Sequence, residues 1–299
     1  MSEPASGQVF DLGFRRYEGQ REGRRRAVLA VYKDGLRSAM GLGRGGKAKI
    51  LPWLFIAASI IPALVFALIA GAVDRLAADF SEELDLPSHA DYYSIAGIVL
   101  FLFAAAVGPE LFCPDRSNGM ISLYLVRPLR ATDYAIARWA ALATVMVLIA
   151  WLPQLVLLAG LVFGAPDPGS YLADHWSDIP RFLISGVVIA IYVSTITSMA
   201  AAFAKRRAYA AAFLVGLLIL SAAVISGIAD TLSDSTGRWV ALLSVGDVPL
   251  YVNDVIFGEQ TSSIEAAADL SNIVQVGWFV VMVAAAGAIF LGRYRRLSL

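Results

Sequence analysis

The chain has 299 residues, 58% hydrophobic and only 16% charged, against about 25% charged in a soluble globular domain. Several apolar runs reach roughly 20 residues, the length that crosses a hydrocarbon core of about 30 Å, so the composition excludes a soluble protein. Their solid character, without period-two alternation, excludes a barrel and leaves helices as the spanning element.

In chain order, the polar N-terminal segment 1–49 predicts no signal peptide. Its stretch "GRRRAVLAVYKDGLRSAMG" (23–41) places Val28, Val31, Tyr32, Leu36, Ala39 and Met40 on one helical face, with Arg26, Lys33 and Arg37 beside and behind it. That pattern predicts an interfacial amphipathic helix whose basic residues favour anionic headgroups. "GLGRGGK" (41–47) has a superficial likeness to a phosphate-binding loop, but its spacing is wrong, no strand precedes it, and the Ser/Thr is absent.

Six spans are predicted in the remainder, 50–299. They cover 50–73, 93–112, 134–163, 181–204, 209–229 and 273–292, with the fourth and fifth forming a tight hairpin around "KRRA". Of 24 Lys and Arg residues, 11 lie in 1–49, 4 in 113–138, 3 at 205–207 and 3 in the tail, so alternate connections carry 21. The other connections hold only Arg75, Arg181 and Arg238, together with 16 of the 24 acidic residues. The zero net charge hides this asymmetry, which predicts that both termini are cytoplasmic. Cys113 is the only cysteine. It excludes an intramolecular disulfide and suits packing at a helix end.

Both histidines, His89 and His175, fall in predicted outer loops, and no Asp, Glu, Lys or Arg occupies the middle third of any span. Ion-coupled carriers generally need such a group. An intramembrane serine protease needs an embedded histidine base, and a metalloprotease needs helical His ligands. No catalytic, cofactor-binding or metal-binding residue is therefore expected on this chain, and energy for uphill movement would come from another polypeptide.

The connection "PDRSNGMISLYLVRPLRATDYAIARW" (114–139) is charged at both ends and apolar in its middle. Asp115 to Asn118 can cap a short helix over 117–126. Ile121, Leu123, Tyr124 and Leu125 then offer a surface to a partner, and Arg127-Pro128 ends the helix. Thr132 is placed to cap the third span. One reading is a lever that docks on a cytosolic partner and moves two spans. The other is a connecting loop tucked under the bundle. Glu110, at the end of the second span, can reach Arg127, Arg116 or Arg130 and tether the short helix. Alternatively it faces water and headgroups.

The stretch "GPELFCPDRSNGMISLYLVRPLRATDYAIAR" (108–138) resembles the signature of ABC type-2 exporter permeases. The likeness is carried by Glu110, Asp115, Arg116, Asn118-Gly119, the apolar run to Val126, Arg127-Pro128-Leu129 and Asp133-Tyr134. Cys113-Pro114 departs from the charged pair usual there. The resemblance implies that 117–126 is a coupling helix for a separate cytosolic ATPase present in two copies, which carries ATP and Mg. It also implies a second permease copy or paralogue, and a location in the inner, cytoplasmic membrane. No enzyme activity on this chain and no nucleic-acid partner are expected.

Family pathways run along the second and fifth spans. This implies a lining of Phe101, Phe103, Leu217, Ser221 and Val224, neighboured by Leu100, Leu220, Ile225 and Ser226, suited to a hydrophobic or amphipathic compound. Lipid-facing helices read the same way. The resemblance further suggests a broken, re-entrant pair over 237–258, with Trp239, Tyr251 and Phe257 suited to the membrane interface; a loop packed on headgroups is the plain alternative. "FRRYEGQREGRRR" (14–26), with Tyr17, Gly19 and Arg21, resembles an N-terminal pattern of some family members. It is either a solvated basic stretch or a second ATPase contact. Gln154 beside Pro153 is expected to satisfy backbone freed at a kink, and the hydroxyls of "YVSTITS" (192–198) to hold helices together. Two other classes stay open: a non-transporting anchor or regulatory subunit of an enzyme complex, and a stand-alone carrier or channel.

Overall fold

The structure, a computed structural model, describes residues 23–43, 45–76, 88–125, 129–232, 234–259 and 270–296. These residues form only helices. Six of them are long and apolar enough to cross a membrane: α2 (Lys47–Leu76), α3 (His89–Ser117), α5 (Ala131–Gly164), α7 (Asp178–Phe203), α8 (Arg207–Thr231) and α11 (Asn272–Arg295). They correspond one to one with the expected spans. Five shorter helices complete the described chain: α1 (Arg24–Ala39), α4 (Met120–Leu125), α6 (Pro168–Asp174), α9 (Asp234–Ala241) and α10 (Val248–Phe257).

The helix ends depart from the apolar limits because backbone hydrogen bonding continues past the lipid-facing sequence. At α3, the capping box of Ser88 and Asp91 starts the helix before the apolar run. The helix then continues through Pro109 and Pro114 to Ser117, as helices within a bundle can. Asp115 is therefore a helical residue and not a cap, and the short helix begins at Met120 rather than 117. Between them Asn118 ends α3 and Gly119 turns the chain at φ +67°, a conformation that favours glycine. Thr132 does not cap α5. The helix starts one residue earlier, and the Asp133 carboxylate accepts the Arg130 backbone N–H at 3.0 Å.

The core lies where α3, α5 and α7 meet, with α2, α10 and α11 packed around them. At Gly108 the backbone of α3 comes so close to α7 that an added Cβ would collide with Thr197 Cγ2. Ser194, Thr197 and Ser198 are buried on α7 near this contact and Thr195 is buried toward α5 and α11, in keeping with small and hydroxyl residues between membrane helices. Further along α3, the Tyr93 hydroxyl donates to the Phe182 carbonyl at 2.9 Å, and Trp151 Nε1 donates to the Leu183 carbonyl at the same distance.

At the end of the bundle opposite the Arg-rich connections, His89 is not in a loop. It is the first residue of α3, buried and stacked on Phe182 with ring centroids 5.1 Å apart. Gln154 does not serve a proline kink but clasps this histidine. Its Oε1 lies 2.6 Å from His89 Nδ1 and its Nε2 donates to the His89 carbonyl at 2.9 Å. Asn253 of α10 accepts the Ser185 hydroxyl at 2.5 Å and donates to the Ala90 carbonyl at 3.2 Å. These bonds draw α10 into the bundle, where Val248 through Asn253 are buried. Tyr251 accordingly does not reach an interface: its hydroxyl is buried and donates to the Ala241 carbonyl at 2.9 Å. Trp239 of α9 is exposed. Position 237–258 thus holds two helices of unequal burial, the second an integral part of the bundle.

Filling the α3–α7 contact tests this packing. Gly108→Leu should destabilise the purified chain by about 1–3 kcal/mol, the usual cost of overpacking, read as a lower thermal midpoint in detergent. Gly97→Leu, on the same helix where an added Cβ meets nothing, should leave the midpoint unchanged.

Candidate functional site at the basic end of the bundle

Four acidic residues are described at the Arg-rich end, Asp34, Glu110, Asp115 and Asp133, and each is ion-paired with an arginine from a different helix. The centre is Arg138, two turns into α5, with its side chain only 4% exposed. One terminal nitrogen donates to Asp115 of α3 at 2.9 Å and lies 2.9 Å from Asp34 of α1. The Tyr134 hydroxyl, one turn before Arg138, donates to the same Asp115 oxygen at 2.5 Å. Its ring lies 5.7 Å from the guanidinium carbon. Burying a lone guanidinium would cost several kcal/mol, and two carboxylates with an aromatic face offset that cost.

The last two turns of α3 bind two further elements. Glu110 accepts from Arg207 at the start of α8 at 3.0 Å. Cys113 and Arg116 reach the end of α7: the thiol lies 3.6 Å from the Ala204 carbonyl, and Arg116 donates to the carbonyls of Ala201, Ala202 and Ala204. A cation on the free carbonyls of a helix C-terminus is favourable both as a cap and through the helix dipole. The predicted tether is thus answered differently from expectation. Glu110 engages the α7–α8 hairpin through Arg207, Arg116 is committed to α7, and Arg127 and Pro128 lie outside the described residues. Arg130 is exposed at the start of α5.

Helix α1 lies across the first turns of α5. Arg24 makes a bidentate pair with Asp133, both bonds 2.7 Å, and Tyr32 and Thr144 share a hydrogen bond of 3.0 Å. The face predicted from periodicity is the packed one. Val31 and Ala39 are buried, Val28, Tyr32, Leu36 and Met40 pack on the core, and Arg26, Lys33 and Arg37 are exposed. That face serves α5 and α3 rather than being left for lipid.

Helix α4 hangs from the Gly119 turn and folds back on this lattice. Tyr124 packs on Tyr134 at 5.3 Å between centroids, Tyr134 on Tyr294 of α11 at 5.9 Å, and Tyr294 on Phe290 at 5.2 Å. Ile121 is also half-buried against the core. Both residues were expected to face a partner, but they hold α4 to the bundle. Met120 is exposed, as are Ser117, Asn118 and Gly119 in the turn. The side chains of Leu123 and Leu125 lie outside the described set. Burial, with the nearby Asp115 carboxylate, raises the Tyr124 phenol above its ordinary pKa, so it remains neutral at physiological pH.

The predicted pathway residues divide. Phe103 and Leu100 are fully buried, Phe103 edge-on to Phe55 of α2 at 6.2 Å, so neither can line a pathway. Phe101 is half-buried against Tyr192. On α8, Val224 and Leu220 are exposed, Leu217 is half-buried, and the Ser221 hydroxyl is returned to the Leu218 carbonyl at 3.1 Å. Helix α8 buries little of itself within the chain. Among the described residues no group of three or more His, Cys, Asp or Glu side chains converges as a metal site.

Sequence reasoning missed Arg138, which was counted only for topology. The signal was available: Tyr134 and Arg138 are one turn apart, inside an apolar run, downstream of an acidic α3 end. No protein-family model matches the chain, and no curated protein matches it significantly.

Arg138→Met should leave Asp115 without its main partner and lower stability by on the order of 3 kcal/mol. The double variant Arg138→Met with Asp115→Leu should recover much of that loss in the same thermal measurement. Without such recovery, the pair would not be the source of the effect.

Proposed function

We infer that this chain is the membrane-spanning permease subunit of an ABC-type exporter, energised by a separate cytosolic ATPase, with both termini in the cytoplasm of a cell whose inner membrane it spans. The observation that carries the reading is the mounting of α4. A six-residue helix sits at the basic end on a glycine turn. The helix before that turn is hydrogen-bonded or ion-paired to α5, α7 and α8. A push on α4 is thereby delivered to four spanning helices. A simple connecting loop has no need of such bracing. The exposed Met120, Ser117 and Asn118 form the side available to the ATPase, while Ile121 and Tyr124 hold the helix to its base.

The resemblance of 108–138 to ABC type-2 permeases supports the same reading, as does the segregation of Lys and Arg to alternate connections. The exposed apolar surface of α8 suits a second permease copy. With Ser221 and Ser226 as its hydroxyls, that surface also suits passage of a hydrophobic or amphipathic compound along the seam. Pathway lining is assigned to Leu217, Leu220 and Val224 of α8 and Phe101 of α3. ATP and Mg would belong to the partner.

Two measurements test this. Full-length tagged chain, purified from native membranes, should bring down a stoichiometric polypeptide with a GxxxxGK[ST] loop. Met120→Asp should weaken that association at unchanged thermal stability, whereas Tyr124→Ala should retain association and uncouple hydrolysis from transport. Recovery of a different enzyme, or transport by the chain alone, would overturn the reading. For orientation, in a Cys113→Ala background, a cysteine at Ser170 should react with an impermeant thiol reagent added outside intact cells. One at Ser117 should react only after permeabilisation.

A further inference from the structure

The chain has three asparagines, Asn118, Asn253 and Asn272, and their surroundings differ. An asparagine carries an amide carbon, Cγ, that the backbone nitrogen of the next residue can attack to close a five-membered ring. A helix interior prevents this by holding that nitrogen in its own hydrogen bond, and a branched side chain on the next residue crowds the approach. Asn253 lies inside α10, buried, with its side-chain amide bonded to Ser185 and to the Ala90 carbonyl. Asn272 is the first residue of α11 and is followed by the β-branched Ile273. Asn118 ends α3, is exposed, and is followed by Gly119.

Neither obstacle stands at this turn. Asn118 has φ −91° and ψ 2°, outside the helical region. The Gly119 N–H reaches the Arg116 carbonyl at 3.4 Å, longer than the usual range of about 2.7–3.2 Å. Gly119 has no side chain, and a Cβ added there would meet nothing within 4 Å. The turn is therefore open to water and has room to rotate. The Ser117 hydroxyl lies 3.4 Å from Asn118 Oδ1. It is placed to tighten on that oxygen as negative charge gathers on it during ring closure.

We propose that Asn118–Gly119 is a self-modifying site, at which the asparagine loses its amide and becomes aspartate or isoaspartate. Hydroxide takes the Gly119 amide proton, the nitrogen bonds to Asn118 Cγ, and the Cγ–Nδ2 bond breaks. The departing nitrogen takes up a proton from water and leaves as ammonia. Water then opens the ring. Opening at Cγ gives aspartate, and opening at the backbone carbonyl gives isoaspartate, in which the chain runs through Cβ. One water is consumed, one ammonia leaves, and nothing is oxidised or reduced. Either product sets a carboxylate at the C-terminal end of α3, where the free carbonyls and the helix dipole oppose it, one turn after Asp115. Isoaspartate also lengthens the link from α3 to α4 by one backbone atom. The mount of α4 thus changes with the age of the molecule. The chemistry is independent of the permease reading; its effect on ATPase coupling rests on that reading.

The full chain, freshly purified in detergent, is held at neutral and at alkaline pH and sampled over days. Mass spectrometry of the tryptic peptide Ser117–Arg130, with fragmentation that separates isoaspartate from aspartate, reads the conversion. Both products should accumulate at position 118, faster at the higher pH because hydroxide starts the reaction, while Asn253 and Asn272 stay intact. Gly119→Ala should slow the conversion on the order of tenfold, equivalent to about 1.4 kcal/mol in the barrier. Should that variant fail to fold, the isoaspartate fraction of the unaltered chain decides, since only the ring route yields it. An intact Asn118 in the folded chain, while the synthetic peptide Ser117–Arg130 converts, overturns the proposal. So does aspartate without isoaspartate, or equal conversion at Asn272. For the consequence, converted chain should retain less of the co-purifying ATPase than fresh chain. Undiminished association at full conversion overturns the effect on coupling. A fresh chain that brings down no ATPase overturns the permease reading instead, and the conversion is scored regardless.

Discussion

One buried guanidinium sets the arrangement of the basic end. Arg138 cannot be left alone in an apolar bundle, and it is held by carboxylates from two other helices and a tyrosine of its own. That requirement fixes the height of α1 and of the end of α3 against α5, because both must present an acidic oxygen to one nitrogen. The α1 face then packs where Asp34 leaves it, and the Arg24–Asp133 pair closes the same contact from the other side. Position α3 correctly against α5, and its next residues fall against the α7 C-terminus and the α8 N-terminus. The lattice is thus sequential: one electrostatic demand locates α3, and α3 locates the hairpin.

This end is tied mainly by charge, whereas the opposite end is tied by neutral hydrogen bonds, the His89–Gln154 clasp and the Asn253 bridge. Interhelical bonds of the neutral kind contribute modestly, about 0.6 kcal/mol on average in membranes. Paired charges in a partly buried site are more costly to break. The Arg138 pairs are accordingly the ties at the basic end that are most costly to break, whereas the more exposed Arg24 and Arg207 pairs add less.

The spans, their order and the charge asymmetry were legible in the sequence because each depends on a run of residues. So was the inward face of α1, set by a 3.6-residue period. What was not legible was pairing across distance. Glu110 was correctly read as needing a cation at the helix end, but Arg207, 97 positions away, supplies it, and nothing in local spacing favours it over nearer arginines. His89 and Gln154 look like a loop residue and a kink residue singly; only their adjacency, 65 positions apart, makes them a clasp. Tyr124 was assigned outward because a six-residue helix has too few residues for periodicity to choose a face. Asp115 was read as a cap because its short side chain can accept from free backbone N–H groups, yet in a packed bundle α3 runs on through Pro114 to Ser117.

The pairing of Arg138 also bears on how the chain is made. A charge in an apolar segment opposes its entry into the bilayer, by about 2.5–3.5 kcal/mol at the centre of a helix and less toward its ends. Asp34 and Asp115, which neutralise it, and Arg24, which secures the start of the same helix, all precede α5 in the chain. They have left the ribosome before Arg138 does, so α5 can be received by helices already waiting with the opposite charge. The bonds from α3 to α7 and α8 have the reverse order, since Glu110 and Arg116 must wait for partners synthesised later. Biogenesis therefore divides at α5: the first three spanning helices can assemble as a neutralised unit, and the hairpin is added to it.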